Sequence, residues 1–270
     1  MKNKFYKLYR WIYYLFGRHV ADERDWLNKI PKLSNIEDFS KLGKFERFQL
    51  GKACDIPIDV DSLLCFNGIY LPESSGGVNK GDRLALAKLI SYQKPMAILE
   101  IGTCIGSSLA SIVLGSSNGV KICSVDIMDV NLDDSYWNQR GCSHRPREIV
   151  GILNNKIDVE FVQSDSLIFL KSCIEKFDFI FLDGLHSSDR VYLEISYALN
   201  CLNQGGYILL HDFFPKSKKY WDTPAIPGPY LAVQRLIQEG ACVEFLPFQE
   251  LPWETKNGTK FSSLCLLTGK

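Results

Sequence analysis

Met96-Ala-Ile-Leu-Glu-Ile-Gly-Thr-Cys-Ile-Gly-Ser-Ser108 is the stretch whose reading decides the fold. Its first half is a short apolar run bounded by glycine, the pattern of a buried strand. Gly102 and Gly106 follow, and a helix-like segment opens at Ser107 and runs to Leu114. Glycines at such a junction let the backbone turn sharply and let a ligand come close with no side chain between them. The spacing is G-x-x-x-G, not the G-x-G-x-x-G that seats a pyrophosphate on a helix N-terminus. A ligand without phosphate needs only that close backbone approach. An ordinary tight strand-to-helix turn would explain the same glycines.

The same alternation continues in the C-terminal direction. Apolar runs recur at 96–102, 121–127, 159–165, 177–184 and 206–212. Helix-like segments separate them at Ser107 to Leu114, Arg147 to Asn154, Leu167 to Glu175 and Ser188 to Leu202. Near-continuous apolar strands joined by crossover helices predict an α/β fold with a parallel sheet covered on both faces. Runs 242–248 and 262–269 lie close together around Asn257-Gly258, which predicts a closing antiparallel hairpin. In the N-terminal direction, Pro95 follows a predicted helix from Lys80 to Tyr92, and residues 1–80 read as a helical extension to a domain spanning 81–270.

Composition narrows the class. The chain is 46% hydrophobic and 23% charged, which fits a folded protein and not a disordered one. Lys+Arg and Asp+Glu each number 31, so no basic excess points to nucleic acid. The nine cysteines form no C-x-x-C pair, and Cys123 and Cys265 sit in apolar runs. Reduced core thiols in a cytoplasmic protein are the expectation. Residues 1–19 mix basic and aromatic side chains, but the uncharged run Trp11 to Gly17 is far shorter than the ~20 residues of a membrane span. Such a segment could lie on an anionic membrane surface, or pack its aromatics on the domain or on a second subunit of a homodimer.

Two acids extend the glycine turn into a candidate site. Asp126 ends the second run, where a carboxylate can accept from both hydroxyls of a ribose. Asp165 ends the third, where it could accept from an adenine amino group or cap the following helix beside Ser166.

Read in order, E-I-G-x-x-x-G (100–106), S-V-D (124–126), Q-S-D-S (163–166) and F-D-F-I-F-L-D-G (177–184) resemble the motif set of class I S-adenosylmethionine-dependent methyltransferases. The resemblance covers roughly residues 96–270. It implies a Rossmann-like sheet of seven strands, ordered 3-2-1-4-5-7-6 with strand 7 antiparallel. It also implies that Glu100, Gly102, Gly106, Asp126 and Asp165 line the cofactor pocket, with Glu100 toward the methionine end. Thr103, Ser107, Ser108, Ser166 and Asp183 join them as candidate cofactor contacts.

A second constellation lies at the ends of the fourth and fifth runs, Asp183-Gly184-Leu185-His186 and His211-Asp212. Both ends of a parallel sheet's neighbouring strands open on the same edge, so Asp183, His211 and Asp212 could converge on one divalent ion. The layout is similar to catechol O-methyltransferase and to sugar O-methyltransferases, which implies His186 as the catalytic base. His211 stands where those enzymes carry a carboxylate, which leaves Mg, Mn or no metal open. The implied reaction is in-line transfer of the sulfonium methyl to a hydroxyl of a small-molecule or glycan acceptor, with imidazole taking the proton near neutral pH. Trp137, Arg140, His144 and Arg145, the stretch 224–230 as a lid, and Trp253 are placed around the acceptor. Three other readings stay open: a metal-independent N- or C-methyltransferase, an NAD-dependent oxidoreductase, and a non-catalytic binding partner with the same fold.

Overall fold

Side chains of alternate residues in the apolar runs are buried on opposite faces, and that two-sided burial is what makes the runs parallel strands. The computed structural model describes residues 18–32, 36–72, 77–215, 226–256 and 258–270. Among these, β1 (Ala97–Ile101), β2 (Lys121–Asp126), β3 (Asp158–Gln163), β4 (Phe177–Leu182), β5 (Leu202–Leu210), β6 (Val243–Pro247) and β7 (Cys265–Gly269) form one seven-stranded sheet. Its order is β3-β2-β1-β4-β5-β7-β6, with β7 antiparallel to both neighbours, as the motif order implies.

The helices are α1 (Arg18–Asn28), α2 (Arg47–Cys54), α3 (Val60–Phe66), α4 (Lys80–Gln93), α5 (Ser107–Gly115), α6 (Tyr136–Gln139), α7 (Pro146–Leu153), α8 (Ser166–Ser172), α9 (Ser188–Cys201) and α10 (Gly228–Gln238), with a 3-10 turn at Ile36–Lys41. Ile98, Phe179 and Leu209 face α4, α5 and α7. Leu99, Ile180 and Ile208 face α8, α9, α10 and α1. Two apolar layers thus clamp the sheet and hold its carboxyl edge in place.

Two strand ends differ from the sequence reading. β5 starts at Leu202, four residues early, with a register shift against β4 between Phe177 and Phe179. Asn203 donates to Asp178 there, and Gly205 takes φ +81. β3 stops at Gln163, two residues before Asp165, because the chain must leave the sheet to start α8.

The N-terminal helices pack on the domain. Glu23 of α1 accepts the amide of Ser188 at 2.5 Å and so caps α9, whose own cap residue Ser187 makes no side-chain bond. The Gly43 amide donates to Gly206 at the start of β5. No described helix is long and apolar enough to cross a membrane. The proposed membrane-surface segment, residues 1–17, lies outside the described residues.

Candidate functional site

β1 ends in a turn that only small residues can make. Gly102 has φ +96 and Gly106 has φ +81. The Gly106 amide donates to the Thr103 carbonyl at 2.8 Å, closing the loop before α5 begins. A Cβ on Gly102 would collide with the backbone carbonyl of Asp183, so the end of β4 lies directly against this turn. Asp126, at the end of β2, accepts from the Cys104 amide at 2.9 Å and from the Met128 amide at 3.0 Å. Beside those bonds lies a cleft of about 90 Å³, open to solvent. Thr103, Ser124, Asp126, Met128, Phe161 and Gln163 line it.

Glu100 lies beneath this cleft and is wholly buried. Ser124 donates to its Oε2 at 2.5 Å, which leaves Ser124 to accept from Thr103 at 2.6 Å. Its Oε1 is buried with no hydrogen-bond partner. Burial pushes the Glu100 carboxyl up from 4.5 to about 7; the neighbouring Ser108 and Ser124 hydroxyls resist this, and Asp183 and Asp126 add to it. A cation placed at Oε1 would satisfy the orphaned atom and bring the carboxyl back down.

That shift makes a prediction for Glu100→Gln. In the free protein, the unfolded chain ionises Glu100 near pH 4.5 and the folded chain near 7. The destabilisation is absent below the lower value, grows between the two, and is complete above the upper. It amounts to about 3 kcal/mol at most. Glu100→Gln is therefore expected to gain stability over the wild type at pH 8 and lose that advantage at pH 4, measured by urea unfolding. Equal stabilities at both pH values would show that Glu100 is not strained by its burial.

Ser107 is buried, and its hydroxyl accepts the Val78 amide at 3.0 Å, tying α5 to the segment before α4 and away from the cleft. Asp165 takes the second of its two readings. It caps α8 through the Leu167 and Ile168 amides and pairs with Arg190 at 2.6 Å. Burial acts to raise its carboxyl, but Arg190 and the two amides outweigh that and bring it below the usual carboxylate range. Ser166 bonds to Glu194 and Arg190 in the same network. Asp165 and Ser166 are thus engaged in this network, while Gln163, at the end of β3, lines the cleft.

Beyond Gly102, the tips of β4 and β5 bring three donors within 4.8 Å of one another: Asp183, His186 and Asp212. His186 Nε2 lies 3.3 Å from Asp212 Oδ2. Asp212 has φ +50, a left-handed conformation that aspartate tolerates better than most residues. His211 corrects the expected metal set. It is buried with Nδ1 2.9 Å from Asp183 and Nε2 3.6 Å from Asp82. Burial alone would lower its pKa, but the Asp183 and Asp212 carboxylates, with Asp82 behind, hold it well above the ordinary histidine value. The donor cluster thus holds His186, whereas His211 turns its Nδ1 to Asp183.

Asp82 was not legible as part of this site. In the sequence it is an acid in the first turn of α4, where a solvated carboxylate is ordinary. The loop around α6 ties back on itself: Trp137 donates to Leu132, and Arg145 pairs with Asp133 and Glu148. Trp253 donates to Gly81 under Lys88, packing on α4 and not on an acceptor cavity. Of the expected lid, 224 and 225 lie outside the described residues, and Gly228 begins α10 against the His186 carbonyl.

Residues 99–213 match the family model described as "Methyltransferase domain". No curated protein sequence matches the chain. Among solved structures, a putative O-methyltransferase from Klebsiella pneumoniae is similar at TM-score 0.52 and 18% identity, covering 80% of this chain and 92% of that one. The Podospora anserina methyltransferase PaMTH1, solved with S-adenosylhomocysteine (SAH), is similar at 0.52 and 16%, covering 89% and 98%. The O-methyltransferase TomG from Streptomyces achromogenes, solved with S-adenosylmethionine, is similar at 0.51 and 16%, covering 88% and 100%. At these identities the likeness is one of fold.

Proposed function

We propose that this chain, whose residues 99–213 match a methyltransferase domain, transfers a methyl group from S-adenosylmethionine to a hydroxyl of a small-molecule or glycan acceptor. The observation that carries this reading is the double position of Asp183. Its backbone packs on the Gly102 turn that walls the cleft, and its side chain belongs to the donor cluster with His186 and Asp212. The cofactor's reactive end and the acceptor's activating groups would thus meet at one residue. Folds solved with S-adenosylmethionine and its product support the cofactor choice.

The residues fit the cofactor. Gly102 leaves room for it, Asp126 is placed for the ribose, Gln163 for the adenine side, and the unpartnered Glu100 Oε1 for the ammonium. Phe161 and Val162, which line the cleft, offer apolar surface to the adenine. S-adenosylmethionine supplies a methyl on a positive sulfur, a leaving group that needs no phosphate contact. Asp183 and Asp212 would hold a divalent cation, Mg or Mn by the chemistry of two carboxylates beside an imidazole. Such an ion lowers the pKa of a nearby hydroxyl.

His186 then takes the hydroxyl proton, and Asp212, 3.3 Å from its Nε2, stabilises the imidazolium that forms. The turn and the donor cluster hold the two reactants in line, a contribution that can reach about 7–11 kcal/mol. Calorimetry with SAH and with NAD tests the cofactor: binding of the first and silence from the second is the expected result. NAD binding without SAH binding would reassign the chain to the oxidoreductases. Methyl transfer that continues undiminished in EDTA would remove the cation.

A further inference from the structure

We propose that Glu23 of α1 is a positioning residue for His186, holding the chain at Ser188 so that the imidazole keeps its place beside Asp212. Ser188 is wholly buried at the start of α9, two residues past His186. Both of its polar groups end on Glu23. The Ser188 amide donates to the Glu23 carboxylate at 2.5 Å, and the Ser188 hydroxyl donates to the Glu23 backbone carbonyl at 2.5 Å. A side-chain bond and a backbone bond to one residue fix the orientation of Ser188 as well as its distance. Buried donors are costly to leave unmade, so α1 cannot draw away without orphaning both.

The other side of the same segment is closed by α10. A Cβ on Gly228 would overlap the His186 carbonyl and stand 2.8 Å from the Ser188 amide nitrogen, so the first turn of α10 lies directly on this backbone. α1 is in turn fastened to α10, because Arg235 donates to the carbonyls of Leu27 and Ile30 where α1 ends. Residues 186–188 thus sit in a clamp between two helices that lie outside the matched stretch 99–213. Asp212 holds the far end of the imidazole at 3.3 Å. Capping α9 does not call for a reach from α1, since Ser187 stands at the cap position with a hydroxyl that makes no capping bond. A clamp on both sides supplies what a base requires, a location fixed to within about 0.5 Å.

This inference rests on the reading of His186 as the base, and its test separates the two. Turnover is followed by release of SAH across a panel of phenols, catechols and sugars, with SAH affinity by calorimetry and the melting temperature alongside. The proteins are the wild type, Glu23→Ala, Glu23→Gln, His186→Ala and the Glu23→Ala/His186→Ala double variant. Misplacing a reacting group by about 1 Å can cost about 100-fold in rate. Glu23→Ala is expected to lower kcat by about 10- to 100-fold, with KM and SAH affinity at the wild-type values. Glu23→Gln, whose amide oxygen still accepts from Ser188, should restore most of that loss. Because Glu23 acts through His186, the double variant should be no slower than His186→Ala. Three results would overturn the proposal: an unchanged kcat with a lowered melting temperature, a Glu23→Gln as slow as Glu23→Ala, or losses that multiply in the double variant. Should Glu23→Ala not fold, Glu23→Asp, which draws the acceptor back by one methylene, takes its place. Full turnover in His186→Ala, or no acceptor in the panel, sinks the base reading and not this inference. In that case the crystal structure of the Glu23 variant decides: a His186 imidazole displaced by about 1 Å or more supports the role, and an unmoved one ends it.

Discussion

Gly102→Ala is expected to lose measurable SAH binding and about 2–4 kcal/mol of folding stability. Two independent costs combine at this position. Alanine is strained at φ +96, and its Cβ would stand 2.6 Å from the Asp183 carbonyl carbon and 3.0 Å from the Gly184 amide nitrogen. Both obstacles are backbone, held by the Ile101–Asp183 hydrogen bond at 2.9 Å, so neither can rotate away as a side chain would. Relief requires the tip of β4 to move, taking Asp183 with it. Gly119→Ala separates the terms: its φ is +83, but nothing lies within 4 Å of the added carbon. That variant should cost about 1 kcal/mol and bind SAH normally. Wild-type affinity in Gly102→Ala would mean that the cleft does not depend on the contact between the turn and β4.

His186→Ala is expected to lower kcat for methyl transfer by about 10²- to 10⁴-fold while leaving KM, SAH affinity and Mn²⁺ affinity near wild type. The assay is release of SAH across a panel of phenols, catechols and sugars. The split between kcat and metal affinity matters because His186 sits within the donor cluster and could serve there as a ligand. A base removed from the cluster spares the cation, whereas a ligand removed from it does not. Loss of Mn²⁺ affinity in His186→Ala would make it a ligand, and full turnover would leave it with neither role. The side chain is about one-third exposed and its ion-pair partner among the described residues is Asp212, so its removal should cost little stability.

How legible these groups were follows from how local their signals are. The turn from Glu100 to Ser108 was readable because glycine at positive φ is a demand of the local backbone. Asp126 was readable because strand alternation puts it at the end of β2 whatever surrounds it. Asp165 kept two readings because a run of seven residues does not reveal where a strand stops. Two residues separate Gln163 in the cleft from Asp165 in a helix cap paired with Arg190 of another helix. His211 and His186 exchanged places for a related reason. Both lie just past strand tips, and the side on which each imidazole settles is decided by what packs there.

The chain's own order of apolar runs, glycines and terminal acids determined the sheet, its parallel core and the position of the cleft, since each depends on residues a few positions apart. Only tertiary packing decided which of the strand-tip groups face one another. It brought Asp82 of α4, itself bonded to Ser263 on the β7 side, to within 3.6 Å of His211, and His211 to 2.9 Å from Asp183. The physical reason is that periodicity specifies which face a side chain occupies, whereas the charge and lone pairs of a buried group are set by neighbours that only the folded chain assembles.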